Sequence, residues 1–154
     1  MVVTESTIGS ITKARQGYTG HLNLSSKMTK LTALVHIFVI LGLMITFHLL
    51  IITGIIPYEH VWAGRLKSVE EMRVFESISI LVIIGMALIF RWRYRLLKRA
   101  IENKLLSFLI WGLAALFFLN TIGNLFAESI WELIFGTAIT GYLCFLCVVV
   151  ARKE

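Results

Sequence analysis

Four long apolar stretches alternate with short polar ones along this chain. The first runs from Leu31 to Ile56, 26 residues without a formal charge, and Pro57 follows it. About 20 apolar residues carry a helix across a hydrocarbon core, so this stretch is long enough to span. The next helix announces its own start: Ser68 followed by Glu71 is a capping-box pattern, which predicts a helix from Val69 to about Trp92. Its apolar centre, Ile78 to Phe90, is only 13 residues. Counting back about 20 residues from Arg91 puts the outer membrane boundary near Glu71, with Arg73 at the interface and Glu76 about 7–8 Å deeper. A third span follows from Leu105 to about Ala127, and a fourth from Leu133 to Ala151. The pattern therefore predicts an all-α integral membrane four-helix bundle, with spans at about 31–56, 71–92, 105–127 and 133–151.

Residues 1–30 lack this pattern. Rich in Ser, Thr, Gly and Lys, they predict a flexible tail with a short interfacial piece near Ile11 to Tyr18. They also lack the apolar core of a cleavable signal peptide, so the first span is expected to act as its own insertion signal.

Composition strengthens the membrane reading. The chain of 154 residues is 58% hydrophobic with one proline and no aspartate, against a soluble norm of roughly 45–50% apolar. The net charge of +6 raises the question of nucleic acid, but the cations sit at span ends, where topology needs them, and no nucleic-acid motif accompanies them. The tail, the Arg91–Lys104 connector and the C-terminus hold 12 of the 15 Lys and Arg, while six of the nine Glu lie in or beside the other two loops. The positive-inside bias thus predicts both termini in the cytoplasm and the Pro57–Lys67 turn outside. The Arg91–Lys104 connector, with Trp92 and Tyr94 interleaved, is also expected to meet anionic lipid headgroups.

Candidate chemistry gathers in the outer half. His48 lies eight residues from Ile56 and Glu76 in the first turns of the second helix; Asn120, Asn124, Glu128 and Glu132 recur every fourth residue; Thr137 and Thr140 reach a comparable depth. Polar groups at membrane depth are costly and usually face a bundle interior or a wet cavity. One reading is an outward-opening pocket in which Glu76, His48, Asn120, Asn124, Arg73 and Glu128 bind a small ligand, under a loop lid of Tyr58, Glu59, His60, Trp62 and Arg65. The other is interhelical hydrogen bonding with no ligand. A metal at Glu59, His60 and Glu128 lacks accepted ligand spacing. Haem lacks its geometry, because His36 and His48 share one helix about 18 Å apart. No metal or cofactor is therefore expected. Cys144 and Cys147 form a CxxC pair without partner cysteines or a base. They share one face with Thr137, Thr140 and Ala151, beside Gly141, which predicts a small-residue packing seam rather than thiol chemistry.

The strings Ile-Ile-Pro-Tyr-Glu-His-Val-Trp-Ala-Gly-Arg-Leu (55–66), Val-Phe-Glu-Ser-Ile-Ser-Ile (74–80) and Asn-Thr-Ile-Gly-Asn-Leu-Phe-Ala (120–127) resemble a group of small, uncharacterised bacterial four-span membrane proteins. The resemblance covers roughly residues 50–150 and implies no activity. Where such proteins tend to carry Trp-Gly-Gly-Arg, this chain has Trp62-Ala63-Gly64-Arg65. Glutathione-using membrane enzymes and small multidrug exporters are of similar size, but their charged motifs are absent here.

Three function classes remain. An accessory or interaction protein of the membrane leads, because nothing catalytic is assembled. An oligomeric transporter or binding protein for a small polar or protonated ligand comes second, resting on Glu76, His48 and the asparagine stripe. A membrane enzyme is third, because no nucleophile–base pair or metal box occurs.

Overall fold

The computed structural model describes the backbone of residues 5–58, 61–62, 66–127, 130 and 132–152. Among these the chain is helical and no strand occurs. The helices are α1 (Glu5–Ile52), α2 (Val69–Lys98), α3 (Lys104–Asn124) and α4 (Thr137–Ala151), the last preceded by a π-helical turn over Glu132–Gly136. Four segments are long and apolar enough to cross a membrane: Lys27–Ile52, Val69–Lys98, Lys104–Asn124 and Leu133–Ala151. Only 17% to 28% of each segment's most apolar window is buried inside the protein. A bundle in water would bury such residues, so this outward apolar surface suits a hydrocarbon solvent.

Each helix end has a local cause. α1 is helical from Glu5, not a loose tail through residue 30. No proline interrupts residues 5–30, and extending an existing helix costs far less than nucleating one. α1 stops at Ile52 rather than Ile56. Gly54 takes φ +76, its N–H donates to the Ile51 carbonyl at 2.9 Å, and Ile55 N–H donates to the Leu50 carbonyl at 3.0 Å. This is a Schellman cap, and the glycine, not Pro57, terminates the helix.

α2 begins as predicted. Ser68 Oγ accepts from Glu71 N–H at 3.1 Å, and the Glu71 carboxylate reaches back to Lys67 N–H at 2.9 Å. The helix outruns its predicted end and takes half of the basic connector with it, to Lys98. There Ala100 adopts φ 55, with Ile101 N–H donating to the Leu96 carbonyl at 3.0 Å. α3 starts on an Asn103 side-chain cap and ends at Asn124, three residues short of the predicted Ala127. Its last N–H groups fall into tighter i→i+3 bonds, such as Phe126 to Gly123 at 3.1 Å.

α2 packs on α1, α1 on α4 and α4 on α3, while α2 and α3 meet only lightly. One hydrophobic core joins all four helices toward the end that carries Ala33, Phe90, Leu106 and Val150. Arg93 is buried at that end, and its Nη2 donates to the Val150 carbonyl at 3.1 Å. A cation there complements the partial negative charge at the α4 C-terminus. At the opposite end a second, smaller core forms from Ile51, Val61 and Met72, with Tyr58 and Leu66 packed on it. This core belongs to α1, α2 and the turn between them.

Candidate functional site

Glu76 lies in the second turn of α2 and is fully buried. Both carboxylate oxygens are occupied. His48 Nδ1 donates to Oε2, and Trp62 Nε1 donates to Oε1 at 2.8 Å. The three partners come from three consecutive pieces of chain: α1, the α1–α2 turn, and α2. Because α1 ends at Ile52, His48 is four residues from its helix end, about 6 Å rather than about 12 Å. The glycine cap therefore lifts the imidazole toward the level of Glu76.

Trp62 reaches the carboxylate from φ 54, a left-handed backbone that a bulky residue rarely adopts. Strain of this kind costs on the order of 1–3 kcal/mol and persists only where surrounding contacts impose it. Those contacts are the Glu76 bond and the Phe75 ring, whose centroid is 5.3 Å from that of Trp62. Beneath the tryptophan, Val61 is buried against Ile51 and Met72. The predicted lid is thus partly a clamp, since Tyr58 packs into the small core and Trp62 closes onto the carboxylate. Glu59, His60 and Arg65 lie outside the described residues, as does Glu128.

The predicted single polar layer divides in two. Arg73 is exposed, and the Glu76 oxygens take His48 and Trp62 instead. Asn120 is exposed on α3 and joins neither group. Asn124 belongs to a separate cluster between α3 and α4, where its Nδ2 donates to Thr140 Oγ1 at 3.3 Å. Thr121 Oγ1 lies 3.0 Å from Thr140 Oγ1, and Thr140 Oγ1 lies 2.7 Å from the Gly136 carbonyl. Here a Cβ on Gly136 would sit 2.9 Å from the Asn124 side chain. Gly136 therefore lets the asparagine approach the π-helical turn. The fourfold stripe passes over Thr121, which stands one residue away from Asn120. A helix face centred on the buried positions Leu106, Ile110, Ala114 and Phe117 selects Thr121 and Asn124 over Asn120.

The small-residue seam on α4 is present in part. Thr140, Cys147 and Ala151 are buried. A Cβ on Gly141 would lie 3.6 Å from the Thr121 methyl, an ordinary van der Waals contact, so α3 and α4 approach closely there. Cys144 and Cys147 are both free thiols. Among the described residues, no three His, Cys, Asp or Glu side chains gather to hold a metal ion.

The arrangement around Glu76 can hold a proton or fix a turn: a carboxylate, an imidazole and an indole N–H converge in a dry setting. Its closure decides which it favours. The carboxylate has no exposed surface, and its two oxygens are satisfied from within the α1–α2 hairpin. No protein-family model, no curated protein and no solved structure matches this chain.

Proposed function

We propose that this chain is a multi-pass accessory or interaction protein of a bacterial inner membrane, with both termini cytoplasmic. In this reading the α1–α2 turn is its outward-facing surface. The observation that carries it is the closure of Glu76 by His48 and Trp62, which ties Trp62 to the hairpin. The skew of Lys and Arg supports the orientation. The strings at 55–66, 74–80 and 120–127 support placement among the small four-span proteins of bacteria, and the Arg91–Lys104 cations suit anionic headgroups on the cytoplasmic leaflet.

A second reading is favoured by one fact: Glu76 and His48 are two titratable groups in contact inside a span, a common feature of proton-linked transport. Glu76→Gln in proteoliposomes separates the two. The accessory reading expects a loss of stability and no Glu76-dependent proton flux. A wild-type flux abolished by Glu76→Gln with stability unchanged would replace it with the transport reading. Orientation is tested by single cysteines at Tyr58 and Ile101, with Cys144 and Cys147 replaced by serine, and an impermeant maleimide on intact cells. Tyr58→Cys should label and Ile101→Cys should not; the reverse pattern overturns the topology.

A further inference from the structure

A second polar pair lies in the spans, away from Glu76. His36 on α1 and Tyr142 on α4 meet across the two helices, with His36 Nδ1 and the Tyr142 hydroxyl 2.7 Å apart. Both residues are exposed. Tyr142 stands nine residues from either end of the segment Leu133–Ala151, and its bond to His36 puts the imidazole beside it. At helical rise Tyr142 lies about 14 Å in, close to the middle of a hydrocarbon core about 30 Å thick.

Hydrogen-bonding capacity is left over at that depth. An imidazole has two ring nitrogens, and a phenol can donate and accept. Among the described residues, His36 Nε2 has no partner, and the Tyr142 hydroxyl bonds only His36. Leaving polar atoms unpaired in hydrocarbon costs several kcal/mol on transfer scales, so such a spot calls for an occupant. The pair sits in a groove between α1 and α4, of about 420 Å³, with Met28, Thr32 and Val149 toward the Lys27 end and Phe145 beside Tyr142. That volume is in the range of small-molecule sites, about 300–1,000 Å³. The Tyr142 and Phe145 rings are nearly parallel, 17° apart with centroids at 6.4 Å, and form an aromatic wall.

We propose that this groove binds a lipid-soluble molecule with an uncharged, planar head bearing carbonyl or hydroxyl oxygens on a hydrocarbon tail. The head hydrogen-bonds to His36 and Tyr142 and lies against the Tyr142–Phe145 wall. Depth and charge select this chemistry over a phospholipid. A phosphate head stays at the interface, about 14 Å away, and no Lys or Arg lines the groove among the described residues.

The test uses the full chain in phospholipid nanodiscs, where any binding already competes with phospholipid. The probe is a short-chain isoprenoid benzoquinone, followed by equilibrium dialysis. Wild type should bind it saturably. Tyr142→Phe keeps the ring and removes the hydroxyl, and should weaken binding about tenfold, as the loss of one hydrogen bond does. His36→Leu should weaken it at least as much, and Ser79→Ala, outside the groove, should leave it unchanged. Unfolding curves establish that each variant is folded. Absence of saturable binding to wild type, or equal affinity in folded Tyr142→Phe, overturns the proposal. So does efficient disulfide cross-linking of two copies through Val149→Cys, which would assign the groove to a second copy of the chain.

Discussion

Removing the Glu76 carboxylate in two different ways distinguishes a clamp from an incidental contact. Glu76→Ala deletes the acceptor of two donors and leaves the Trp62 N–H and the His48 ring nitrogen unpaired. Each orphaned donor costs roughly 1–3 kcal/mol. The side chain is fully buried, so the deletion also opens a cavity. Together these give about 3–5 kcal/mol, the range seen when one partner of a buried charged pair is removed. Glu76→Gln keeps the shape. Its amide oxygen can still accept from Trp62, and its amide nitrogen can donate to His48 if the imidazole carries its proton on Nε2. What is lost is charge assistance on both bonds, partly offset by no longer burying a charge, for a net of about 1–2 kcal/mol. Unfolding by denaturing detergent, titrated into mild micelles, should therefore rank wild type above Glu76→Gln above Glu76→Ala. Maleimide labelling of Leu66→Cys, in the turn held by Trp62, should accelerate in the same order. If both variants fall within about 0.5 kcal/mol of wild type, the ordinary scatter of surface substitutions, the carboxylate does not hold the turn.

Three further substitutions follow from the geometry. Ala100→Gly should stabilise the protein by up to about 1 kcal/mol in the same unfolding assay, because Ala100 caps α2 at φ 55, where a Cβ costs about 1–2 kcal/mol and glycine returns part of that as chain entropy. Gly136→Ala should destabilise by about 1–3 kcal/mol through its clash with Asn124, and combining it with Asn124→Ala should recover most of that loss as a non-additive term. Thr140→Val should cost about 1–2 kcal/mol by unpairing the Asn124 amide, while Thr121 keeps its bond to the Phe117 carbonyl, and its effect should add to that of Glu76→Gln within about 0.5 kcal/mol; strong coupling would mean the two polar clusters form one unit after all.

The fold is largely readable because its signals are local. Apolar length, the Ser68–Glu71 box and the terminal residue Ala151 sit where the backbone places them. The helix ends that differ from expectation depend on competition between two stop signals, or on none. Gly54 acts before Pro57 because a left-handed cap ends the hydrogen-bond ladder directly, whereas proline only forbids its continuation. At Arg91–Lys98 the charges mark the end of the apolar run but not a helix boundary, since Arg and Lys are good helix formers.

The site is half readable for a different reason. Counting residues from a span end gives depth, a single coordinate; it puts His48 and Glu76 toward the same end of their helices, and the Gly54 cap sets His48 nearer that end than the count does. Depth says nothing of which helices share a seam. All four spans carry polar groups in the half nearest the α1–α2 turn, and at equal depth they are free to form one layer or several. Packing decides: α2 lies on α1 and α3 on α4, with little between α2 and α3. Polar groups in hydrocarbon bond to whatever neighbour packing supplies, so the layer divides along that boundary into Glu76 with His48 and Trp62, and Thr140 with Thr121 and Asn124. The small core of Ile51, Val61 and Met72 follows the same division. The turn end of the α1–α2 hairpin is thereby held by contacts at most 28 residues apart in sequence, and the opposite end, around Phe90 and Leu106, draws on all four helices. Tyr58, Val61, Trp62 and Leu66 are held by their own hairpin and can meet a partner without disturbing the α3–α4 pair, and this independence weighs toward the proposed interaction role.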